Sequence, residues 1–287
     1  MVLEDIEMTT STRTRRKAAA PVAATPEILL RATADGITTL TLNRPEARNC
    51  LSEAMFDNLQ SALDELADDK ATRVIVLAAN GPVFCSGHDL KEMTARRADA
   101  DGGRAFFAMI MDKCSRLMTA IVRSPKPVIA RVHGTATAAG CQLVASCDLA
   151  VAAKTAQFAT PGVHIGLFCS TPMVALSRNV ARKHAMEMLL TGDMMSAKQA
   201  KRIGLVNAVV KPDRLDDRTQ ALALKIASKS SLTLAIGKEA FYRQAELSLD
   251  EAYRYAASVM VENMMARDAG EGIGAFIDKR HPVWEDR

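Results

Sequence analysis

Strand-like and helix-like patterns alternate along the first two thirds of the chain, and helical patterns dominate the last third. Residues 37–42 alternate β-branched and apolar side chains and stop at the Asn-Arg-Pro turn signal of residues 43–45, which predicts a strand. Ser52 is then placed to cap a helix. The apolar positions of that helix recur at helical spacing: Met55, Leu59, Leu63 and Leu66.

Three continuous apolar runs predict strands that are covered on both faces, at residues 73–78, 127–132 and 148–152. A helical pattern near residues 104–123 separates the first two runs. Strand, crossover helix and strand in succession imply a parallel sheet. The predicted fold class is therefore α/β.

The predicted organisation has three parts: a disordered tail (1–26), an α/β core (27–200) and a C-terminal helical region (201–287). The pattern becomes almost wholly helical from about residue 171, with one strand-like interruption at residues 204–210. Two capping boxes predict helix starts there. They are formed by Ser196 with Gln199 and by Ser248 with Glu251.

The tail and the cysteines bear on the cellular compartment. Residues 1–26 are rich in Thr, Ala and Pro and show no sustained period. The basic cluster at residues 13–17 is compatible with a transit peptide, but Glu4, Asp5 and Glu7 argue against one. The six cysteines form no Cys-x-x-Cys pair and are typical of reduced thiols. We therefore expect a cytoplasmic protein, with the mitochondrial matrix as the alternative.

Composition and charge exclude several function classes. The chain has 287 residues, 48% of them hydrophobic, which is enough to bury a full core. A net charge of +4 without a basic stripe, together with only 8 Phe, 3 Tyr and 1 Trp, argues against nucleic-acid binding. The sequence contains no apolar run of about 18 residues and therefore predicts no membrane span. Cysteine and histidine spacing predicts no metal site.

Two glycine-containing loops occupy positions where a strand ends and a helix begins, at residues 81–90 and 134–143. The first turn of a helix has unpaired N–H groups and a positive dipole end, both of which stabilise a nearby oxyanion. Two such loops on neighbouring parallel strands could direct two donors at one carbonyl oxygen. The alternative, that the glycines only make tight turns, stays open on composition alone. Nucleotide-binding and serine-hydrolase glycine motifs are absent.

At these loops the sequence resembles the crotonase (enoyl-CoA hydratase/isomerase) superfamily, over roughly residues 28–280. The resemblance implies a core of repeated ββα units, homotrimers or dimers of trimers, and a coenzyme A thioester as substrate or ligand, with no permanently bound cofactor. The matching segments are Leu42-Asn43-Arg44-Pro45, Arg48-Asn49, residues 84–93, Lys126-Pro127-Val128-Ile129-Ala130, Cys147-Asp148, Gln157-Phe158, residues 186–192, Ala197, Ala200, Gly204-Leu205-Val206 and Phe276.

The resemblance also implies roles for individual residues. The backbone N–H groups of His88 and Ala139 would form the oxyanion hole, and Ala139 restricts φ where glycine would not. Arg48 and Lys91 would bind the nucleotide or pantetheine, and the C-terminal helices, of the same or of a neighbouring subunit, would contribute further contacts. The implied coenzyme-binding set is Arg48, Ser86, His88, Asp89, Leu90, Lys91, Phe276 and Lys279.

Both glutamates that hydratases of this family use to hold and activate water are replaced. Gln142 stands in the Gly-Cys-Glu-Leu context, and Gly162 follows Pro161 after the Gln-Phe strand. Glutamine does not titrate near neutral pH, and glycine has no side chain. The pattern resembles a divergent branch, the mitochondrial enoyl-CoA hydratase domain-containing proteins and their bacterial relatives.

Other side chains could replace the missing acids. The imidazole of His88 adjoins the proposed oxyanion hole, but a structural role is favoured for it. His164 reaches the pocket only if it lies on the face of its strand that is turned toward the pocket. Asp89 and Glu92 are expected to cap a helix. Cys85 and Cys141 are expected to pack in the core.

Two functions therefore remain. The first is an acyl-CoA lyase or isomerase that works through an oxyanion-stabilised enolate, in which Gln142, His164 or a group of the substrate helps the proton transfer. Its hydratase activity is expected to be weak or absent because both carboxylates are missing. The second is a non-catalytic acyl-CoA-binding scaffold. Turnover of thioesters separates the two.

Overall fold

The computed structural model describes residues 27–287, so the predicted disordered tail lies outside the described residues. The ten strands of this described part of the chain are β1 (Leu29–Ala34), β2 (Ile37–Leu42), β3 (Val74–Ala79), β4 (Val83–Cys85), β5 (Val128–Val132), β6 (Thr135–Thr137), β7 (Leu149–Ala153), β8 (Gln157–Ala159), β9 (Met195–Ser196) and β10 (Ala208–Val210). Eleven α-helices within residues 27–287 are α1 (Glu53–Asp68), α2 (Leu90–Ala95), α3 (Arg104–Arg123), α4 (Ala139–Ser146), α5 (Ser170–Asn179), α6 (Arg182–Thr191), α7 (Ala197–Arg202), α8 (Leu215–Ala227), α9 (Ser231–Gln244), α10 (Leu249–Met265) and α11 (Arg267–Ile277).

The strands form two sheets that confirm the α/β class and the repeated ββα core. The larger sheet has the order β1-β2-β3-β5-β7-β10, and the smaller has the order β4-β6-β8-β9. The pairs β1–β2 and β8–β9 are antiparallel, and the other neighbours are parallel. In the successive pairs β3/β4, β5/β6 and β7/β8, the first strand joins the larger sheet and the second joins the smaller. Each pair then leads into a helical segment.

The local sequence signals agree with the structure where they are strongest. Every residue of β3 is buried, as the continuous apolar run predicts. The Ser52 side chain accepts a hydrogen bond from the Met55 N–H and caps α1. Both predicted capping boxes are formed at the starts of α7 and α10.

The structure also differs from the sequence reading. β4 and β6 are three-residue strands inside segments interpreted as loops, because their partners lie far away in sequence. Residues 161–165 form a 3₁₀ turn instead of the strand considered for His164. β10 pairs with β7, and α8 packs on β3, β5 and β7, so the α/β layers continue beyond residue 200.

The helices α9 to α11 stand further from the core than the others. No residue of α10 is buried, and α11 packs against α9 and α10. Large apolar side chains on α10 and α11 are exposed: Leu249, Tyr253, Met260, Val261, Met264, Met265, Ile273, Phe276 and Ile277.

None of the helices within residues 27–287 is both long and apolar enough to cross a membrane. Those same residues hold no group of three or more His, Cys, Asp or Glu arranged to bind a metal ion.

The last eight residues, 280–287, fold back on α11 and form a C-terminal clasp. The fully buried carboxylate of Asp268 accepts hydrogen bonds from the Glu285 and Asp286 N–H groups. Glu271 accepts from the Arg280 guanidinium and from the Val283 N–H. Burial opposes the charged form of Asp268, but hydrogen bonds from the Glu285 and Asp286 amides, from Ser230 and from Arg267 outweigh burial, so the pKa of Asp268 lies below its usual range. The Arg280 guanidinium lowers the pKa of Glu271 to about 2.

We expect the C-terminal clasp to open in acid. A carboxylate with a depressed pKa stabilises the fold above its ordinary pKa, about 4.5 for Glu271, and loses this contribution as the pH falls through about 2. Trp284, the single tryptophan, donates its indole N–H to the Ser228 carbonyl and reports on the clasp. Its fluorescence should shift to the red between pH about 4.5 and about 2.

The control for this titration is the variant Glu271→Gln, which removes the ionisable group and keeps the side-chain shape. In this variant a larger fraction of the molecules should have an open clasp at neutral pH. The change in Trp284 fluorescence on acidification should therefore be smaller than in the wild type. Far-ultraviolet circular dichroism separates clasp opening from global acid unfolding. An unchanged titration in the variant would contradict the assignment.

Candidate active site

The two predicted strand-to-helix loops lie side by side. β4 and β6 pair in parallel, and the Thr137 hydroxyl donates a 3.2 Å hydrogen bond to the Ser86 carbonyl. A Cβ atom added to Gly87, which has a φ of +96°, would lie 2.9 Å from the Ala138 Cβ and 3.2 Å from the Ala139 nitrogen. The loops therefore approach within contact distance at the positions that carry the two proposed donors.

Gly140 permits the close approach of α4 to β4. A Cβ atom at this position would lie only 2.1 Å from the Cys85 carbonyl oxygen. No side chain larger than hydrogen fits there without movement of the backbone. This glycine therefore holds the N-terminus of α4 against the first loop.

Two backbone N–H groups at this junction have no acceptor among residues 27–287. Leu51 bridges the first loop by bonding to the Gly87 carbonyl and the Asp89 N–H, which leaves the His88 N–H on the opposite edge. Ala139 is the first residue of α4, and its N–H has no acceptor either. The two unpaired donors are those that the resemblance implies for an oxyanion hole.

The strained backbone position is Ala138, not Ala139 as the sequence suggested. Ala138 has a φ of 50° and a ψ of −121°, a region that favours glycine, whereas Ala139 lies within the helix. Such a conformation costs about 1–3 kcal/mol and is found at functional sites. The Ala138 N–H donates to the Ala159 carbonyl, which fixes this strained turn.

The helix α4 begins inside the protein without a side-chain cap. All eight of its residues are buried, and its capping position is the alanine at 138. A buried helix start with unpaired N–H groups is costly unless a partner satisfies them. Its positive dipole end favours an anionic partner. The geometry thus suits a ligand oxygen that carries or develops negative charge.

Gln142 lies one helical turn further along α4 and is 3% exposed. Its side-chain oxygen accepts a hydrogen bond of 3.7 Å from the Cys114 thiol of α3. Burial raises the pKa of Cys114 to about 12, so the thiol stays protonated at neutral pH. Neither group replaces the carboxylate that the resemblance places in hydratases at position 142.

The position of the second missing carboxylate is filled by other atoms. A Cβ atom on Gly162 would lie 2.8 Å from the Leu167 carbonyl oxygen and 2.9 Å from the Cys169 sulfur. Both distances are shorter than real contacts of a Cβ atom. A glutamate therefore does not fit at position 162 without rearrangement of the segment that follows it.

The imidazole of His88 is enclosed. Its ring packs on Phe56 of α1, with 5.5 Å between the ring centroids. Its Nε2 atom is buried and has no hydrogen-bond partner among the described residues. Burial lowers the pKa of His88 to about 4, so the ring is neutral at physiological pH.

His164 occupies a different environment from the two loops. It is exposed on the 3₁₀ turn, and its Nε2 atom would lie 2.9 Å from a Cβ added to Gly192 at the end of α6. Its contact is therefore with the end of α6 and not with the two open N–H groups. The strand through which His164 was expected to reach the pocket is not formed.

The residues implied for coenzyme binding fall into two groups. Arg48 is exposed, and its backbone carbonyl accepts a hydrogen bond from the Ser86 N–H, so the two residues are adjacent. Leu90 and Lys91 are exposed at the start of α2. Asp89 caps α2 through the Lys91 and Glu92 N–H groups and forms an ion pair with Arg44. These groups share the rim of the first loop.

Phe276 and Lys279 form the second group, at the far end of α11. Phe276 is 84% exposed, and the helices that α11 packs against are α9 and α10. One chain by itself therefore does not bring Phe276 against the first loop. The exposed position of Phe276 is compatible with a contribution to the site of a neighbouring subunit.

The sequence reading missed the residue that supports the first loop. Asn49 is fully buried, and its side chain accepts from the Arg44 N–H and donates to the Asn80 and Val83 carbonyls. Its φ of 51° is a conformation that asparagine tolerates better than most residues. The Arg-Asn pair next to a turn was the only available signal.

Comparison with known proteins shows the family of the chain. The family model described as enoyl-CoA hydratase/isomerase matches residues 32–287. The chain belongs to the enoyl-CoA hydratase/isomerase family. A rat relative, enoyl-CoA hydratase domain-containing protein 3, mitochondrial, is 49% identical over 250 residues, which are 87% of this chain and 82% of the relative.

Solved structures place the chain in the same branch of the enoyl-CoA hydratase/isomerase family. The human enoyl-CoA hydratase domain-containing protein 3 has a TM-score of 0.85 and 48% identity, covering 90% of this chain and 100% of that structure. An enoyl-CoA hydratase from Mycobacterium smegmatis has a TM-score of 0.86 and 53% identity, covering 90% and 99%. The divergent branch inferred from the sequence is thus confirmed.

Proposed function

We propose that the protein binds an acyl-CoA thioester and stabilises its enolate through the N–H groups of His88 and Ala139. The observation that carries the proposal is that both donors lie on adjoining loops and lack an acceptor among residues 27–287. Removal of a single oxyanion-hole donor costs about 10²–10³ in rate in other enzymes, so two preorganised amides are a substantial catalytic asset. The reaction class is acyl-CoA lyase or isomerase chemistry.

Binding calorimetry and infrared spectroscopy test this proposal. Butyryl-CoA labelled with ¹³C at the thioester carbonyl should bind, and its carbonyl stretch should move to lower frequency because two N–H donors polarise the bond. Free coenzyme A, which lacks the carbonyl, is the matched control for binding through the nucleotide and pantetheine alone. Binding without a carbonyl shift would contradict the oxyanion hole, and absence of binding would contradict the whole proposal.

Hydration of simple enoyl-CoA substrates should be weak, and Gln142→Glu should increase it. The variant introduces one titratable carboxylate at a position that now holds an amide. Because acid–base groups contribute about 10²–10⁴ in rate, one carboxylate of a pair should raise crotonyl-CoA hydration by roughly 10-fold to 100-fold. Loss of absorbance of the conjugated thioester measures the rate.

The matched control is Gly162→Glu, for which the structure provides no space. This variant should unfold at a lower temperature than the wild type and gain no hydratase activity, alone or combined with Gln142→Glu. A strong gain from Gly162→Glu would show that the segment around Cys169 yields more easily than its contacts indicate.

A second candidate, a non-catalytic acyl-CoA-binding scaffold, is favoured by the filled position beside Gly162. It predicts the same thioester binding and the same carbonyl shift but no chemical conversion of any thioester. Mass spectrometry of butyryl-CoA, crotonyl-CoA and a 3-enoyl-CoA after long incubation distinguishes the scaffold from the enzyme.

Further parts of the proposal concern assembly, coenzyme contacts and location. The exposed apolar faces of α10 and α11 support a homotrimer or a dimer of trimers, with Phe276 and Lys279 reaching the coenzyme of a neighbouring subunit. Arg48 and Lys91 would bind the phosphates of the coenzyme.

The vertebrate relatives are named as mitochondrial, which supports the mitochondrial alternative over the cytoplasmic expectation. In a eukaryotic cell the location we propose is therefore the mitochondrial matrix.

A further inference from the structure

Two adjoining grooves flank the exposed side of helix α1. The first has a volume of about 340 Å³ and lies between α1 and α3. The second has a volume of about 370 Å³ and lies between α1 and the strands β1 and β2. Both grooves include the α1 ridge of Asp57, Ser61 and Glu65. We call this double groove, which consists of residues 56–65 and the facing side chains of α3, β1 and β2, the α1 saddle.

The α1 saddle has an excess of negative charge. Helix α1 contains five carboxylates and no lysine or arginine. Three cations line the two grooves: Arg31, Lys113 and Arg116. Arg31 and Lys113 each form ion pairs with two carboxylates, so each leaves one negative charge uncompensated. Within residues 27–287, the side chain of Asp64 accepts a hydrogen bond only from the neutral amide of Gln60. The saddle therefore favours a cationic occupant.

The chain enters the fold at the edge of this saddle. Leu29, the first residue of β1, lines the second groove. The chain just before Leu29 is fixed by Asn43, whose backbone N–H donates to the Ile28 carbonyl and whose side-chain amide donates to the Glu27 carbonyl. The residues that precede Glu27 therefore begin beside the second groove.

The sequence of residues 13–24 matches the two grooves in order. Counted back from the fold, residues 18–24 are small and apolar, and residues 13–17 are Arg-Thr-Arg-Arg-Lys. The second groove, which is nearer to the chain start, has the apolar side chains of Leu40 and Ala62 in its floor. Ten extended residues span about 33 Å, whereas the 16 residues of α1 form a helix about 24 Å long. Residues 13–17 are therefore able to reach every carboxylate of α1.

We propose that residues 13–17 dock on the carboxylates of the α1 saddle of their own chain, while residues 18–24 cross the second groove. The basic cluster supplies four positive charges, three of them guanidinium groups that can bind carboxylates through two hydrogen bonds. Single exposed ion pairs are weak, so the docking depends on several pairs formed together. The covalent link gives the cluster an effective concentration in the millimolar range, which a free basic peptide lacks.

The docked segment would lie on the outer side of the helix that supports the first loop. Phe56 lines the first groove, and its ring packs on the His88 imidazole. The saddle itself is outside the two open N–H groups. The docking therefore does not depend on the proposed function, and either proposal can fail without the other.

Zero-length cross-linking tests the docking in the full chain. A carbodiimide joins a lysine amine to a carboxylate only where the two are in contact, and mass spectrometry then identifies the joined peptides. At low ionic strength Lys17 should be joined to Asp64 or Glu65. The pair of Lys113 and Glu53, which are 3.0 Å apart, is the internal positive control. In about 1 M salt the Debye length is about 3 Å, so the Lys17 product should disappear.

Two double variants make the test specific. Asp64→Asn with Glu65→Gln removes two carboxylates from the saddle. Asp213→Asn with Asp217→Asn removes the same charge from the exposed chain at the start of α8. The first variant should be cleaved by trypsin within residues 13–17 roughly 10-fold faster than the wild type, because the cluster loses its ion pairs and is no longer shielded. The second variant should be cleaved at the wild-type rate.

Co-expression of two differently tagged chains identifies the chain that supplies the docked segment. One chain carries Lys17→Gln, and the other carries Asp64→Asn with Glu65→Gln. Docking within one chain should give no product between Lys17 and Asp64 or Glu65, because neither chain holds both partners. Such a product would show docking on a neighbouring copy and would overturn the proposal.

Two further results would also overturn the proposal. The first is a wild-type chain in which Lys113 is joined to Glu53 but Lys17 is joined to no carboxylate of α1. The second is tryptic cleavage within residues 13–17 at the same rate in both double variants.

Discussion

Gly140→Ala is expected to destabilise the protein by about 3 kcal/mol or more and to abolish acyl-CoA binding. The added methyl group would lie 2.1 Å from the Cys85 carbonyl oxygen, a backbone atom that cannot rotate away. Relief requires α4 to move from β4, and this movement displaces the Ala139 N–H from the His88 N–H. Denaturant unfolding measures the stability loss, and calorimetry with butyryl-CoA measures the binding loss.

The matched control is Gly237→Ala, inside α9. A Cβ at Gly237 meets no atom within 4 Å, so alanine improves helix propensity without a clash. It should stabilise the protein by about 0.5–1 kcal/mol and leave acyl-CoA binding unchanged. If Gly140→Ala is as stable as the wild type, the close approach of the two loops is not a requirement of the fold.

The sequence predicted the elements whose signals are local. The strands and helix caps depend on periodicity and on side chains three residues apart, as with Ser52 and the Met55 N–H. The adjacency of the two loops was also predictable, because the carboxyl ends of neighbouring parallel strands meet at one edge of a sheet. The structure confirms these features for that reason.

Other features depend on contacts that no sequence period records. The space beside Gly162 is filled because the chain turns back to bring Leu167 and Cys169 against it. The strained turn at Ala138 lacks the glycine or asparagine that normally marks such a conformation. The unpaired Nε2 of His88 depends on burial by α1, which residue type alone does not reveal.

Attachment of the C-terminal helices to the core depends on a buried ion pair. Asp148→Ala should therefore lower the free energy of unfolding by about 3–5 kcal/mol. Asp148 accepts hydrogen bonds from the Lys238 ammonium at 2.7 Å, the Tyr242 hydroxyl at 2.9 Å and the Val128 N–H at 2.7 Å. The Lys238 side chain is 8% exposed, and burial lowers its pKa while the Asp148 carboxylate opposes the shift. Without the carboxylate, an uncompensated charge remains between α9 and the core.

Two comparisons make this prediction specific. Glu246→Ala breaks the ion pair with Arg178, whose side chains are 64% and 57% exposed, and should cost at most about 1 kcal/mol. The double variant Asp148→Asn with Lys238→Met removes both charges and should be more stable than Asp148→Ala, because no buried charge is left unpaired. Hydrogen exchange should locate the loss of protection in α9, α10 and α11. An Asp148→Ala variant no less stable than Glu246→Ala would mean that apolar contacts, and not this pair, hold the C-terminal helices on the core.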